Sequence, residues 1–388
     1  MIARLLPRSQ PADRAPYTLR MAVHSSEPSF LEFFAGSGLV REGLRGLLRP
    51  VWANDNCARK AAIYTANHGA QHFRLDSIEN VDGSELPAAP VAWASFPCQD
   101  LSLAGNAEGI RAARSGLVWE WLRIIAEMPT PPAILLAENV LGLISSAQGE
   151  HYRILHRALD ERGYRVGAMV LDAVRWLPQS RPRVFVLAVR SDIDVPDALL
   201  ARGPNWLHPE TVCNVAQRVD RWLWWSMPEP PARTRRLHDV IDWNADFPDA
   251  EVERRNIRLI APRHAERIAA LPARQVFVAP GYRRTRSSGQ VLELRFDGVA
   301  GCLRTPEGGS SRQLLVMRRD GVLRSRLLTV RETARLMGAP DTYQLPGSYN
   351  DAYKAMGDAV AAPVANWLGR HLLQPLAWAS FGRGSHRD

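Results

Sequence analysis

The sequence predicts an α/β protein: a mostly parallel sheet covered by helices on both faces, joined to a smaller module of irregular build. Three observations lead there. Short apolar runs of strand type alternate with helical patterns over residues 29–190. The first run passes through a small-residue turn, Ala35-Gly36-Ser37-Gly38, into an amphipathic stretch, which is how a doubly wound sheet opens. Beyond Arg190 the alternation stops, and Pro, Trp and Arg take over. The chain is therefore expected to divide into an N-terminal arm (1–28), a large domain (29–190), a smaller domain (191–325) and a C-terminal segment (326–388).

Residues 29–34 (SFLEFF) read as a buried strand, and the glycines behind it let backbone approach a ligand at a helix N-terminus. That helix is expected to reach Leu47. Gly36, Gly38 and Gly43 lack the spacing of the full dinucleotide fingerprint. Residues 50–54 (PVWAN) form a second strand ending at Asp55, a carboxylate that can hold a ribose or cap the helix 57–67. Residues 72–75 lead to Asp76, a third strand-end acid or a plain turn residue. A strand at 91–95, a helix at 117–127 and a strand at 133–137 follow, the last running into Glu138-Asn139-Val140. A helix at 150–162 stops at Gly163. The β-rich runs 166–174 and 183–189 read as a hairpin closing the sheet.

In the smaller domain, residues 221–225 (RWLWW) are expected to be an aromatic cluster pinning that domain's core, with base stacking as the other reading. Residues 274–326 carry eleven arginines against four acids, a surplus suited either to phosphates and base edges or to a solvated basic face. Within them, residues 308–313 (GGSSRQ) read as a flexible loop with forked donors. Thr329 with Glu332 forms a capping box at the start of an amphipathic helix over 327–337, and a final helix is expected at 366–373.

At 388 residues and 46% hydrophobic, the chain can bury a large core. It has no apolar run of about eighteen residues, so no membrane span is expected. Residues 1–28 have no continuous apolar stretch and do not read as a signal peptide; Met21 is an alternative start. Cys57, Cys98, Cys213 and Cys302 form no C-x-x-C pair, which argues against a metal site and a disulfide framework and for a reducing cytoplasm. The net charge of +9 suits a polyanionic partner, although a genome biased toward arginine codons gives the same sum. Only Lys60 and Lys354 are lysines.

The stretch that organises the chain is residues 91–99, a strand followed by Phe96-Pro97-Cys98-Gln99 and then a glycine-punctuated loop. A cysteine at a strand end before a flexible loop suits a nucleophile; a buried structural thiol is the alternative. The motifs then accumulate in order: FFAGSG at 33–38, FPCQ at 96–99, ENV at 138–140, QSRPR at 179–183, LTVRETARLMGAPD at 328–341 and GDAVAAPVA at 357–365. Together they resemble the DNA (cytosine-5) methyltransferase family over residues 30–373.

The resemblance implies a Rossmann-like S-adenosylmethionine-dependent methyltransferase sheet, a target-recognition domain at 191–325 and a C-terminal segment that returns to the catalytic domain. Cys98 would add to carbon 6 of a flipped-out cytosine, Glu138 would bond the ring edge, Arg183 would hold the ring oxygen, and Arg181 would steady Glu138 and the loop. For the cofactor it implies Phe34 near the adenine, Ala35 with Gly36, Ser37 and Gly38 by the methionine part, and Asp55 on the ribose. Asp76, with Ser77, would take the adenine amine, and Pro97 and Leu117 would line the pocket. Asp358 and Ala359 would lie at the cofactor's amino-acid end. The DNA-facing set would be Gln99, Ser102, Arg114, Gln179, Arg283, Arg284, Arg286, Arg304, Ser310, Ser311 and Arg312. The implied partner is double-stranded DNA, with the enzyme a monomer that is either paired with a cognate restriction endonuclease acting on the same site or a solitary modification enzyme.

Three residues depart from the family pattern. Glu32 stands where many members have Asp, Asn56 where many have an aromatic residue, and Asp358 where many have Asn. The rival readings are an RNA cytosine methyltransferase of the transfer-RNA type, a non-catalytic DNA-binding homologue, and a nicotinamide oxidoreductase. The absence of a Cys-Phe-Thr triplet, the intact Cys98–Glu138–Arg181–Arg183 set and the missing third glycine count against them in turn.

Overall fold

The computed structural model describes residues 27–97, 116–287, 289–304 and 312–381. The expected N-terminal arm lies almost wholly outside the described residues, and so do Cys98 and the loop behind it.

The strands β1 (Ser29–Phe33), β2 (Arg49–Asp55), β3 (Phe73–Leu75), β4 (Val91–Ala94), β5 (Ile134–Asn139), β6 (Tyr164–Asp172) and β7 (Pro182–Arg190) form one sheet in the order 3-2-1-4-5-7-6. β7 runs antiparallel to both neighbours, and the other pairs are parallel. All residues of β4 and β5 are buried, as strands covered on both faces must be. Side chains leave the sheet alternately. Phe30, Trp93, Leu136 and Phe185 enter one core; Leu31, Phe33, Ala94, Leu135 and Val186 enter the other.

The helices Leu117–Glu127 and Glu150–Asp160 cover the second face, through Trp121, Leu122, Ile125, Tyr152 and Leu155. The first face is closed by the C-terminal segment, which brings Met356, Val364, Leu368, Leu372 and Leu376 onto it. Gly43 makes that closure possible: a Cβ there would meet the Ala362 carbonyl oxygen at 2.3 Å. The helix that ends near it spans Leu39–Gly43 and stops short of Leu47; Gly46, at φ 74°, lies in the turn that follows. At the far end, helix Ala362–Leu368 continues through a π-helical turn, Gly369–Leu373, into Gln374–Phe381, so the last helix lies beyond the one expected.

Two expectations for residues 191–325 change. The tryptophan run pins the large body, not a separate small core. Trp225 is fully buried with Phe185 and Leu187, Trp222 stacks on His156 at an interplanar angle of 3°, and the Leu223 amide donates to the Val166 carbonyl. The chain can lie that close because β6 has Gly167, where a Cβ would meet the Leu223 oxygen at 2.0 Å.

The arginine-rich stretch is also regular where an irregular module was expected. β8 (Phe277–Arg286), β9 (Gly289–Leu294), β10 (Leu314–Arg319) and β11 (Val322–Leu327) form an antiparallel sheet in the order 11-10-8-9. It has its own core of Ile260, Ile268, Ala279, Leu292, Leu314 and Val316. The turn between β10 and β11 is Asp320-Gly321, with φ of 53° and 79°, the two-residue hairpin that Asp-Gly favours.

Candidate active site

The order of the large sheet reverses between β1 and β4, and ligands of doubly wound sheets bind outside the strand ends at that point. A cleft of 860 Å³ lies there, bordered by the turns after β1, β2, β4 and β5 and by the returning C-terminal segment. Of the expected cofactor residues, Phe34, Ala35, Gly36, Asp55, Asn56, Asp76, Pro97, Leu117, Asp358 and Ala359 line it. Ser37, Gly38 and Ser77 stand behind the wall instead: Ser37 is buried at 1% exposure, Gly38 precedes the first helix, and the Ser77 amide donates to Asp76 at 2.8 Å.

The turn after β1 is built for close approach. Phe34 takes φ 56° and Gly36 φ 57°, the left-handed region that costs a non-glycine residue energy and concentrates at binding sites. Asp55 knits this turn to the next, accepting from the Gly36 amide at 2.9 Å and the Cys57 amide at 2.8 Å. It therefore holds the backbone at Cys57, the residue that opens helix Ala58–His68, and faces the cleft at once. Asp76 is held by Asn80 at 2.8 Å and Arg74 at 3.0 Å, bonds that keep its carboxyl below the usual range. Phe34, Ile78, Pro97 and Leu117 supply apolar wall between these polar points.

Behind the β1 turn, Glu32 is 1% exposed, and burial pushes its carboxyl up to about 8. His68 beside the turn approaches the Gly38 carbonyl at 3.0 Å, and burial lowers it to about 4.

Glu138 and Arg183 meet at the floor of the cleft, with Arg183 Nε 3.2 Å from a Glu138 oxygen. Their strands are neighbours: Glu138 pairs with Phe185 across β5 and β7, so both charges leave the sheet at the same edge of the cleft. Burial raises the Glu138 carboxyl, opposed by Arg183, Arg181 and the Ser95 hydroxyl. Ser95 is oriented in turn by the Trp93 indole N–H at 3.0 Å. Asn139 Nδ2 donates to the Phe96 carbonyl at 3.0 Å, which fixes the backbone just ahead of Pro97.

Arg181, which the resemblance set to steady Glu138 and the loop, directs its hydrogen bonds to backbone carbonyls and Cys302. It is 2% exposed and lies under the cleft, donating to the carbonyls of Leu303 at 3.0 Å and of Gly357 and Ala359 at 2.7 Å each. It fastens the returning segment, and its influence on Glu138 is electrostatic. Cys302 sits between the two arginines, 3.3 Å from Arg181 Nη1.

Among the described residues, the expected DNA-facing side chains do not lie on one surface. Gln179 is fully buried, with Nε2 donating to Leu336 O at 2.7 Å and Oε1 accepting from the Leu303 amide at 3.1 Å; it is an internal brace. Arg283 and Arg284 are adjacent on β8 and so leave on opposite faces. Arg283 bonds Asn256, Arg284 lies over the Tyr282 ring at 5.6 Å, and Arg286 pairs with Glu293. Arg312 lies over Tyr349 at 5.6 Å in a second groove of 440 Å³, which Arg283 and Arg326 also line. Arg304 opens onto the main cleft. Cys98, Gln99, Ser102, Arg114, Ser310 and Ser311 lie outside the described residues.

Sequence reasoning missed Lys60, whose ammonium is 2.7 Å from Asp358 on the cleft wall, and Lys354, which also lines the cleft. Composition held a signal for both, because they are the only lysines of an arginine-rich chain. It also missed the buried pair Arg326–Glu332, with both guanidinium–carboxylate contacts at 2.7 Å. Among the described residues no helix is long and apolar enough to cross a membrane, and no group of three metal-ligating side chains occurs.

Comparison with known proteins agrees with this geometry. The family model for C-5 cytosine-specific DNA methylase matches residues 29–218 and 307–374. The type II methyltransferase M.PspPI of Psychrobacter sp. (strain TA137) is 28% identical over 373 residues, covering 92% of this chain and 82% of that protein. M.HhaI of Haemophilus parahaemolyticus is 24% identical over 352 residues, covering 88% and 93%. Among solved structures, the S. pombe Dnmt2 methyltransferase superposes with a TM-score of 0.57 at 19% identity over 88% of this chain and 97% of that one.

Proposed function

The chain belongs to the C-5 cytosine-specific DNA methylase family, and from that premise we propose that it methylates carbon 5 of a cytosine flipped out of a specific duplex DNA sequence, using S-adenosylmethionine. The observation that carries this reading is the Glu138–Arg183 pair on the floor of the cleft whose wall is the Phe34–Gly36 turn and Asp55.

The wall fits an adenosyl cofactor by its donor set. Asp55 offers a carboxylate to vicinal ribose hydroxyls, Asp76 an acceptor for an exocyclic amine, and Phe34, Ile78, Pro97 and Leu117 apolar faces for a base. When bound, S-adenosylmethionine supplies an electrophilic methyl group on a sulfonium. The remaining work falls to the chain. Cys98 adds through its sulfur to carbon 6 of the cytosine, which makes carbon 5 nucleophilic. Glu138, held toward its protonated form by burial, donates to ring nitrogen 3 as that atom gains charge and accepts from the exocyclic amine. Arg183 holds Glu138 and meets the ring oxygen. Once carbon 5 has taken the methyl group, the sulfonium leaving as a neutral thioether, it loses its proton to a base, the C–H electron pair re-forms the 5,6 double bond, and the Cys98 thiolate departs.

The enzyme acts as a monomer in the cytoplasm, either beside a restriction endonuclease that cuts the same site or as a solitary modification enzyme. The small antiparallel sheet supplies sequence recognition, with Arg283, Arg284, Arg286, Arg304 and Arg312 as its DNA-facing candidates.

The test uses purified protein, radiolabelled S-adenosylmethionine and GC-rich duplex DNA, beside Cys98→Ala, with bisulfite sequencing of the product. Label in DNA, at protected cytosines, that disappears in the variant is the expected result. Label that enters RNA instead, or DNA binding without transfer, overturns the proposal.

A further inference from the structure

Asp358 lies on the cleft wall where a neutral amide is usual in the family, and an unbalanced carboxylate there would oppose any anionic group of a ligand. The structure gives it a partner. Lys60 Nζ lies 2.7 Å from Asp358 Oδ2, and both side chains keep about a quarter of their surface open, at 20% and 28%. The two residues are 298 positions apart and arrive from different elements: Lys60 from helix Ala58–His68, Asp358 from the end of helix Tyr349–Asp358. The wall is rigid on both sides. Arg181 pins the Gly357 and Ala359 carbonyls that flank Asp358. Arg59–Asp351 at 3.0 Å and Asn67 with Gln344 tie the second-strand helix to the returning segment at further points. The pair is therefore not needed to hold the two elements together.

We propose that Lys60 and Asp358 together form the subsite for the zwitterionic α-amino-acid end of the cofactor, Lys60 donating to its carboxylate and Asp358 accepting from its ammonium. This rests on the cofactor reading above. The chemistry suits the pair. An ammonium has three donors and a carboxylate about four acceptor positions, so each can serve its partner and a ligand charge of opposite sign. The net charge of the pair is zero, like that of the amide it replaces, but a cation now faces the ligand carboxylate. Lysine is used here although arginine supplies nearly every other cation of the chain; a compact ammonium takes one acceptor from each of two groups, where a guanidinium fork favours bidentate grip on one.

The experiment compares two probes by isothermal titration calorimetry on the full chain: S-adenosylhomocysteine, which keeps the amino-acid end, and 5′-methylthioadenosine, which lacks it. Lys60→Met is expected to weaken S-adenosylhomocysteine about tenfold or more, the size of a lost charge-assisted hydrogen bond, while methylthioadenosine binds as before. The exchanged variant Lys60→Asp/Asp358→Lys keeps an ion pair but reverses its polarity. It is expected to melt near the parent temperature and still to lose S-adenosylhomocysteine selectively. Equal loss of both probes, no loss of either, or full binding by the exchanged variant overturns the proposal and leaves the pair a strap between helices. A parent protein that binds neither probe would instead sink the cofactor reading itself, and the two failures are thus distinguishable.

Discussion

The cleft of the large sheet and the small antiparallel sheet both depend on arginine, and they use it in opposite ways. In the cleft, Arg183 faces a titratable carboxylate that it leaves partly open to a ligand, and Arg304 opens onto the same space. In the small sheet most guanidinium groups are consumed by the fold. Arg324 bonds Glu253 at 2.6 Å, Arg326 is locked to Glu332, Arg318 donates to the Gln275 and Pro272 carbonyls, and Arg295 pairs with Asp297. A local surplus of positive charge is therefore a poor map of a DNA-facing surface. What matters is how many acceptors the fold has already placed beside each arginine.

The sharpest way to break this contrast is Glu332→Ala. It leaves Arg326 charged at 3% exposure with its carboxylate gone, a loss of about 3–5 kcal/mol of stability, and urea melts should show it directly. If stability barely changes, the arginines of the small sheet are less committed to the fold than their geometry says. In the cleft, Glu138→Ala removes the group proposed to meet the developing ring charge, for an expected fall of about 10²–10³ in the single-turnover rate of methyl transfer. A fall of that size with an unchanged melting temperature separates chemistry from folding.

Next in size is a pH effect behind the β1 turn. Glu32 keeps its proton in the folded protein up to about 8, whereas the unfolded chain releases it near the ordinary carboxyl value of 4.5. Between those values the folded state binds the extra proton, so this residue makes stability fall as pH rises. Melting of Glu32→Gln against the parent should therefore show an advantage that grows from pH 5 to pH 8. His68 acts on the acid side with the opposite slope: its folded value of about 4 lies below the free 6.5, so stability is lost as pH falls through that interval. The smallest effect is expected at Arg286, an exposed partner of Glu293. Arg286→Ala should change stability by less than about 1 kcal/mol. If Arg286 meets a phosphate, the same change lowers the salt slope of DNA binding by roughly one.

What could be read in advance follows the range of the interactions. The turn at 34–38 and the acids at 55 and 76 were legible because a strand end dictates each one locally. The Glu138–Arg183 contact instead joins two strands, and the resemblance assigns Arg181, not Arg183, to steady Glu138. Gln179 shared a motif with the two arginines, yet its burial depends on Leu336 and Leu303, which approach only after the chain returns. Lys60–Asp358 and the contacts of Asp242 with Arg326 and Glu332 are likewise long-range meetings without a local pattern. The Asp320-Gly321 hairpin is a different case: its signal is local, and the surrounding arginines obscured the strands on either side.

The dependence of the large sheet on residues 336–377 sets the order of events during synthesis. All seven strands have been made once Arg190 has left the ribosome, but one face of the sheet still lacks its cover, and Arg181 still lacks the carbonyls of Gly357 and Ala359. The nascent chain must carry that open apolar face until residues 336–377 emerge, including the whole time the small sheet is being made. Loss of residues 336–377 then gives a protein with an exposed core, prone to aggregate, in place of a weakened enzyme.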